Sequence, residues 1–175
     1  MQTEIAIRET TKLIADLLQE QMGLEDDVVA IYNQKRVLKP KSGLYLDVAI
    51  IGNKVYAATS APVNDPAQPD LVEVQTVAMQ EIVQIDIFSA NAEARLRKAE
   101  VIMALTGIGA QQSMERHAYA IARIPPSFVD VSEVEGSARL NRYALTFNVL
   151  RAYSKARTAP TFTEFQSTRE FLVNP

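Results

Sequence analysis

Two long alternating segments, Val72 to Phe88 and Ala138 to Tyr153, constrain this chain more than any other feature. A strand turns successive side chains to opposite faces, so parity along each segment sorts its residues by environment. In the first segment Val83, Ile85 and Ile87 share one parity, while Ile82, Gln84, Asp86 and Phe88 share the other. The fully apolar face is expected to meet helices. The mixed face suits a lumen, a neighbour or solvent. In the second segment Tyr143, Leu145, Phe147 and Val149 face one way, and Arg142, Thr146 and Asn148 the other.

Helical periodicity occurs twice. Ile7, Ile14, Leu17 and Leu18 make one face of a helix over about Thr3 to Gln21, with Thr3 as a cap and Gly23 as the stop. A second helix is expected to follow a cap at Ser89 or Asn91 and end before Gly107. Its expected buried stripe is Leu96, Ala99, Ile102 and Met103, with Arg95, Arg97 and Lys98 outside. Gln111 to His117 adds one or two helical turns. Between the helices, Leu44 to Ile51 and Lys54 to Thr59 read as strands around a Gly52-Asn53 turn. Residues 60–71 hold three prolines and read as a loop. Tyr119 to Ile124 is a strand stopped by Pro125-Pro126. The resulting fold class is α+β: a mainly antiparallel sheet with two main helices on one face. Residues 1–153 form its single domain. Residues 154–175, with Phe162, Phe165 and Phe171, form a C-terminal arm that docks on a partner or folds back.

Composition removes several classes of function. The 175 residues include no cysteine, which excludes disulfides, thiolate metal sites and a cysteine nucleophile. No stretch reaches the roughly 20 apolar residues that span a bilayer, and the start, with Glu4 and Glu9, does not match a secretory leader. The net charge of −3 opposes a dedicated DNA binder. The charges are segregated: residues 59–89 carry five acids and no base, and residues 137–157 five bases and no acid. Such blocks fit either neighbours within one fold or a head-to-tail contact between copies. Asp65, Asp70, Glu73 and Glu81 on the acidic side, and Arg139, Arg142 and Arg151 on the basic side, are the candidate interface charges.

No set of residues assembles a reaction. His117 is the sole histidine and reads as a surface or structural residue. Asp26 and Asp27 diverge, and Glu81 and Asp86 fall on opposite strand faces. Gly107-Ile108-Gly109 lacks the third glycine of a phosphate-binding fingerprint. Arg139, Arg142, Arg151, Lys155 and Arg157 do not make one strip, because Arg142 opposes Arg139 and Arg151 on the strand. Pairing with the acidic segment suits them better than phosphate tracking. Met79, Met103 and Met114 read as core fillers.

The run Gln84-Ile85-Asp86-Ile87-Phe88-Ser89, ending a long strand and leading into an alanine-rich helix, resembles the neck-terminator and tail-terminator proteins of tailed bacteriophages. A helix and hairpin before it, a segment from Pro126 to Asp130, and the Arg-containing strand Arg139 to Tyr153 extend the resemblance over Leu44 to Tyr153. It implies a virion protein, assembled in the host cytoplasm, that forms a homo-oligomeric ring, commonly a hexamer. Such a ring sits on the last layer of tail tube protein, ends polymerisation and offers a surface to the head-completion or connector protein. In contractile tails it also meets the sheath, and genomic DNA passes through its lumen unread. The resemblance implies no catalytic residue, cofactor or metal. A head-completion protein of the neck and a small α+β ligand-binding module or enzyme are the alternatives.

Overall fold

A computed structural model describes residues 9–25, 27–31, 43–63, 71–125, 127–135 and 138–159; at 71, 133–135, 138, 139 and 159 it describes the backbone alone. Along the chain run α1 (Thr10–Met22), β1 (Val29–Ile31), β2 (Tyr45–Val63), β3 (Leu71–Ser89), α2 (Glu93–Thr106), α3 (Ile108–His117), β4 (Tyr119–Ile121), β5 (Val129–Asp130), β6 (Glu133–Glu135) and β7 (Ala138–Ala159). The sheet order is β1-β2-β3-β7-β4, with β5 and β6 as short pairs on β7. Every pairing is antiparallel except β1 with β2. The fold is therefore α+β, as the two alternating segments predict.

The apolar parity does what alternation requires. Val83, Ile85 and Ile87 of β3 and Leu145 and Val149 of β7 are fully buried, with Tyr143 and Phe147 nearly so. Leu46 and Val48 of β2 complete the sheet side, and Leu13, Ile14, Leu17 and Leu18 of α1 close over it. Fully burying each large aliphatic side chain contributes about 1.5–3 kcal/mol, so this layer is the main source of stability. Gly23 ends α1 with φ +61°, and its N–H reaches the Gln19 carbonyl. A side chain at that φ is strained, which is why glycine stops the helix there. The expected start of this helix, Thr3, lies outside the described residues, as does Ile7.

Four sequence expectations need correction. First, Gly52-Asn53 is not a turn. β2 runs unbroken through it, with register shifts at Ile51 and Tyr56. β3 offers partners along its full length, so continued pairing outweighs a local reversal. Gly52 marks a bulge instead, and a Cβ there would come within 3.3 Å of Ile82. Second, the proline-rich loop is shorter than expected, because Ser60 to Val63 and Leu71 are strand; residues 64–70 lie outside the description. Third, β7 continues through Ala159, so the first residues of the supposed arm belong to the sheet. Fourth, α2 is rotated from the expected stripe. Ala94, Val101, Ala104 and Leu105 are buried, whereas Leu96 is 73% and Met103 68% exposed, and Ala99 is exposed too.

The rotation of α2 has a local cause. The N-cap of α2 is Ala92, but the Ala94 N–H donates to Ser89 Oγ (2.9 Å) and the Glu93 N–H to Asn91 Oδ1 (2.9 Å), so the two residues expected as caps satisfy first-turn donors from just before it. Asn141 Nδ2 donates to the Asn91 carbonyl at 2.7 Å, and Leu44 N–H to the Glu93 carboxylate at 3.1 Å, tying the helix start to the sheet. With that orientation fixed, small Ala94 and Ala104 meet the sheet. Lys98 is drawn over the Tyr143 ring, its Nζ 4.0 Å from the centroid. At the other end, Gly107 is the extended N-cap of α3, and Gly109 admits the Gln21 side chain of α1 where a Cβ would collide with it.

Candidate functional site: the outer sheet and its charges

β2, β3 and β7 run well past the helices. On the helix-facing parity, β3 passes from Ile87, Ile85 and Val83 to Glu81, Met79, Val77, Gln75 and Glu73. β7 passes from Phe147 and Val149 to Arg151, Tyr153, Lys155 and Arg157. The apolar code stops one row apart on the two strands, at Glu81 opposite Val149 on β3 and at Arg151 opposite Met79 on β7. Beyond these rows the three strands form an extension, with β2 exposed from Asn53 to Val63. Ten residues of β3, Leu71 to Gln80, project it by about 30 Å at ~3.3 Å per residue.

The two oppositely charged segments are adjacent strands, and their charges meet there. Glu73 stands opposite Arg157 in the register. The Ser60 hydroxyl donates to Glu73, and this bond, with help from Gln75 and then Arg157, holds the carboxyl below its ordinary range. At the boundary, Tyr153 OH donates to Glu81 Oε1 (3.2 Å), and the Arg151 guanidinium lies 5.1 Å from the Tyr153 ring centroid. Arg151 also donates to Thr10 Oγ1 at 3.3 Å, joining the root of the extension to the start of α1. On the opposite sheet face Arg142 Nη2 lies 3.0 Å from Asp86 Oδ2, which Gln84 Nε2 also reaches at 3.1 Å. Glu81 and Arg151 are buried, and Asp86 with them. Glu81 Oε2 and Asp86 Oδ1 are buried without a hydrogen-bond partner.

Of the sequence-predicted interface residues, Glu73, Glu81, Arg142 and Arg151 thus join contacts within the chain. Arg139 is placed by its backbone, opposite Val134 in the β6–β7 hairpin. Asp65, Asp70, Phe162, Phe165 and Phe171 lie outside the described residues. Among the described residues the two blocks therefore meet on adjacent strands of one chain, and Glu81 and Asp86 do point to opposite faces as parity requires. Sequence reasoning missed the exposed apolar groups on α2 and at the β2 bulges, where Ile51, Val55 and Tyr56 are each more than half exposed.

Concave surface is modest. A cleft of about 410 Å³ is lined by Glu25, Asp27, Glu93 and Arg97, but Glu93 is occupied by Leu44 and Asn91, and Arg97 by Glu100 at 2.8 Å. Among the described residues no three His, Asp or Glu side chains are grouped to hold a metal ion. His117 is half-buried in the last turn of α3, where with Arg116 it sits favourably at the negative end of the helix dipole. No described helix is long and apolar enough to cross a membrane. No protein-family model matches the sequence, and no curated protein matches it.

Proposed function

We propose that this chain is a structural virion protein that forms a homo-oligomeric ring at the head-proximal end of a phage tail. There it ends tube polymerisation and offers a surface to the head-completion or connector protein. The reading is of a protein that works by shape, without a catalytic residue, cofactor or metal. The observation that carries it is the outer sheet: three strands reach about 30 Å beyond a complete core, which folding alone does not require. The long strand β3 leading into α2, and the closing strand β7, supply two of the elements on which the resemblance rests and also support the reading, although the separate hairpin it expected is one arm of the β2–β3 pair. The pairing of charges inside the sheet leaves the extension self-compensated, so DNA passing nearby displaces few counterions.

Electron microscopy of particles made without this protein tests the proposal. Overlong or headless tails are expected. Normal heads joined to tails of normal length would reject it.

A further inference from the structure

We infer that copies of this chain join head to tail through Tyr56, with the bulged β2 edge of one copy seated in the groove between α2, α3 and β4 of the next. The inference rests on the ring reading and names the contact that builds the ring. The groove, about 470 Å³, is lined mainly by Ile102, Leu105, Met114, Ile121, Ile124 and Pro125. That size and apolar lining suit an aromatic anchor. Tyr56 is such an anchor: it is 55% exposed and falls at a register shift, where a bulge re-aims a side chain out of the ladder. Ile51 and Val55 flank it, and among the described residues β1 pairs with β2 only at Leu46 to Val48.

The two surfaces lie at opposite edges of one sheet and at one level. Gly52 pairs with Ile82 and Ile82 with Asn148, whose carbonyl accepts the Ala122 N–H at 2.8 Å. Three residues further out a row runs from Val55 through Met79 and Arg151 to Tyr119, two residues before groove-lining Ile121. Bulge and groove are therefore the two ends of the same rows. A copy added through them stays level with the last, which favours closure into a ring over a climbing filament. Charge supports the same occupant. Lys54 is exposed beside the anchor, and Glu115 is exposed on α3 one residue from groove-lining Met114. Arg123 is the groove's own cation, so Lys54 must enter on the Glu115 side.

The chain has no cysteine, which makes disulfide trapping clean. Thr106 lines the groove, is exposed, and bonds only to its own helix carbonyl at Ile102. The full chain carrying Val55→Cys and Thr106→Cys, with the Tyr56 anchor intact, should give, on mild oxidation in solution or on purified tail tubes, a ladder of dimer, trimer and higher species. Each single variant should stop at dimer. Tyr56→Arg should weaken self-association roughly tenfold with an unchanged melting curve. A double variant that behaves like the singles, or assembly indifferent to Tyr56→Arg, overturns the contact. The two readings fail separately: a wild-type oligomer with neither ladder nor sensitivity to Tyr56→Arg removes this contact and leaves the ring, whereas normal tails in particles lacking the protein remove the tail-ring reading, whatever the ladder shows.

Discussion

The inner and outer halves of the same strands obey different rules. From residue 83 to 87 of β3 and 143 to 149 of β7, one parity is apolar and sealed by α1 and α2. From residue 73 to 81 and 151 to 157, that parity is mostly charged, aromatic or polar, with Val77 and Met79 the apolar exceptions, and beyond Arg151, which still reaches Thr10 of α1, it lies past the helices. Backbone pairing is continuous through both. Hydrogen bonding therefore makes the strands, whereas burial decides which part of them holds the molecule together. A strand segment that contributes ladder bonds but little buried apolar area is available for contacts outside the chain.

The largest test of this contrast is a pair of truncations. Ile85→Ala, in the sealed half, should cost about 2–5 kcal/mol in urea unfolding. Val55→Ala, at the base of the extension on exposed β2, should cost roughly 0.5 kcal/mol or less. Similar costs at both sites would erase the distinction. Next is Arg142→Ala, which strips the cationic partner from the buried Asp86 carboxylate. The Arg142 side chain is 40% exposed, so solvent screening holds the expected loss to about 1–2 kcal/mol. Asp86→Asn in the same background should recover part of it.

Two smaller effects separate the halves by pH. Burial raises the pKa of Tyr119, outweighing the opposing pull of its bond to Ser113. Its stabilising contribution is intact below the unfolded tyrosine pKa of about 10 and is lost as pH rises through the folded value. Tyr119→Phe should therefore flatten the alkaline fall in melting temperature. Glu73, in the extension, has a lowered pKa, so its contribution is present above the unfolded value of about 4.3 and lost as pH falls through the folded one. Glu73 is half-buried at the surface of the extension, and Glu73→Gln should lower the melting temperature at pH 7 only slightly while flattening the acid limb. A marked drop at pH 7 would show that the outer charges hold the fold.

The legible part of this fold was whatever period 2 could encode. Parity placed Val83, Ile85, Ile87, Leu145, Phe147 and Val149 in the core correctly, because a strand has two faces and only one was apolar. It was silent on where the helices stop, although the change from Val83 to Glu81 and, one row further out, from Val149 to Arg151 marks that boundary. Gly52-Asn53 misled because a bulge and a turn use the same residues, and only the partner strand distinguishes them. The face of α2 was misread for another reason. Leu96 and Met103 outrank Ala94 and Ala104 in hydrophobicity, but Ser89, Asn91 and Asn141 fix the rotation from outside the helix. For the candidate site, the opposite charge blocks were visible as a pattern. Their meaning depended on β3 and β7 being neighbours, a non-local fact. The α2–α3–β4 groove and the Tyr56 bulge left no trace in local sequence.

The central claim, that the core folds the chain and the outer sheet serves assembly, meets its most direct test in a shortened hairpin. Residues 58–77 would be replaced by Asn-Gly, which joins the paired Ala57 and Ala78 by a two-residue reversal between antiparallel strands. Melting temperature and capping of purified tail tubes would be measured on the same preparation. The expected result is melting within a few degrees of the parent chain with capping abolished. Capping retained by the shortened chain, or a collapse of the fold with it, would contradict the account.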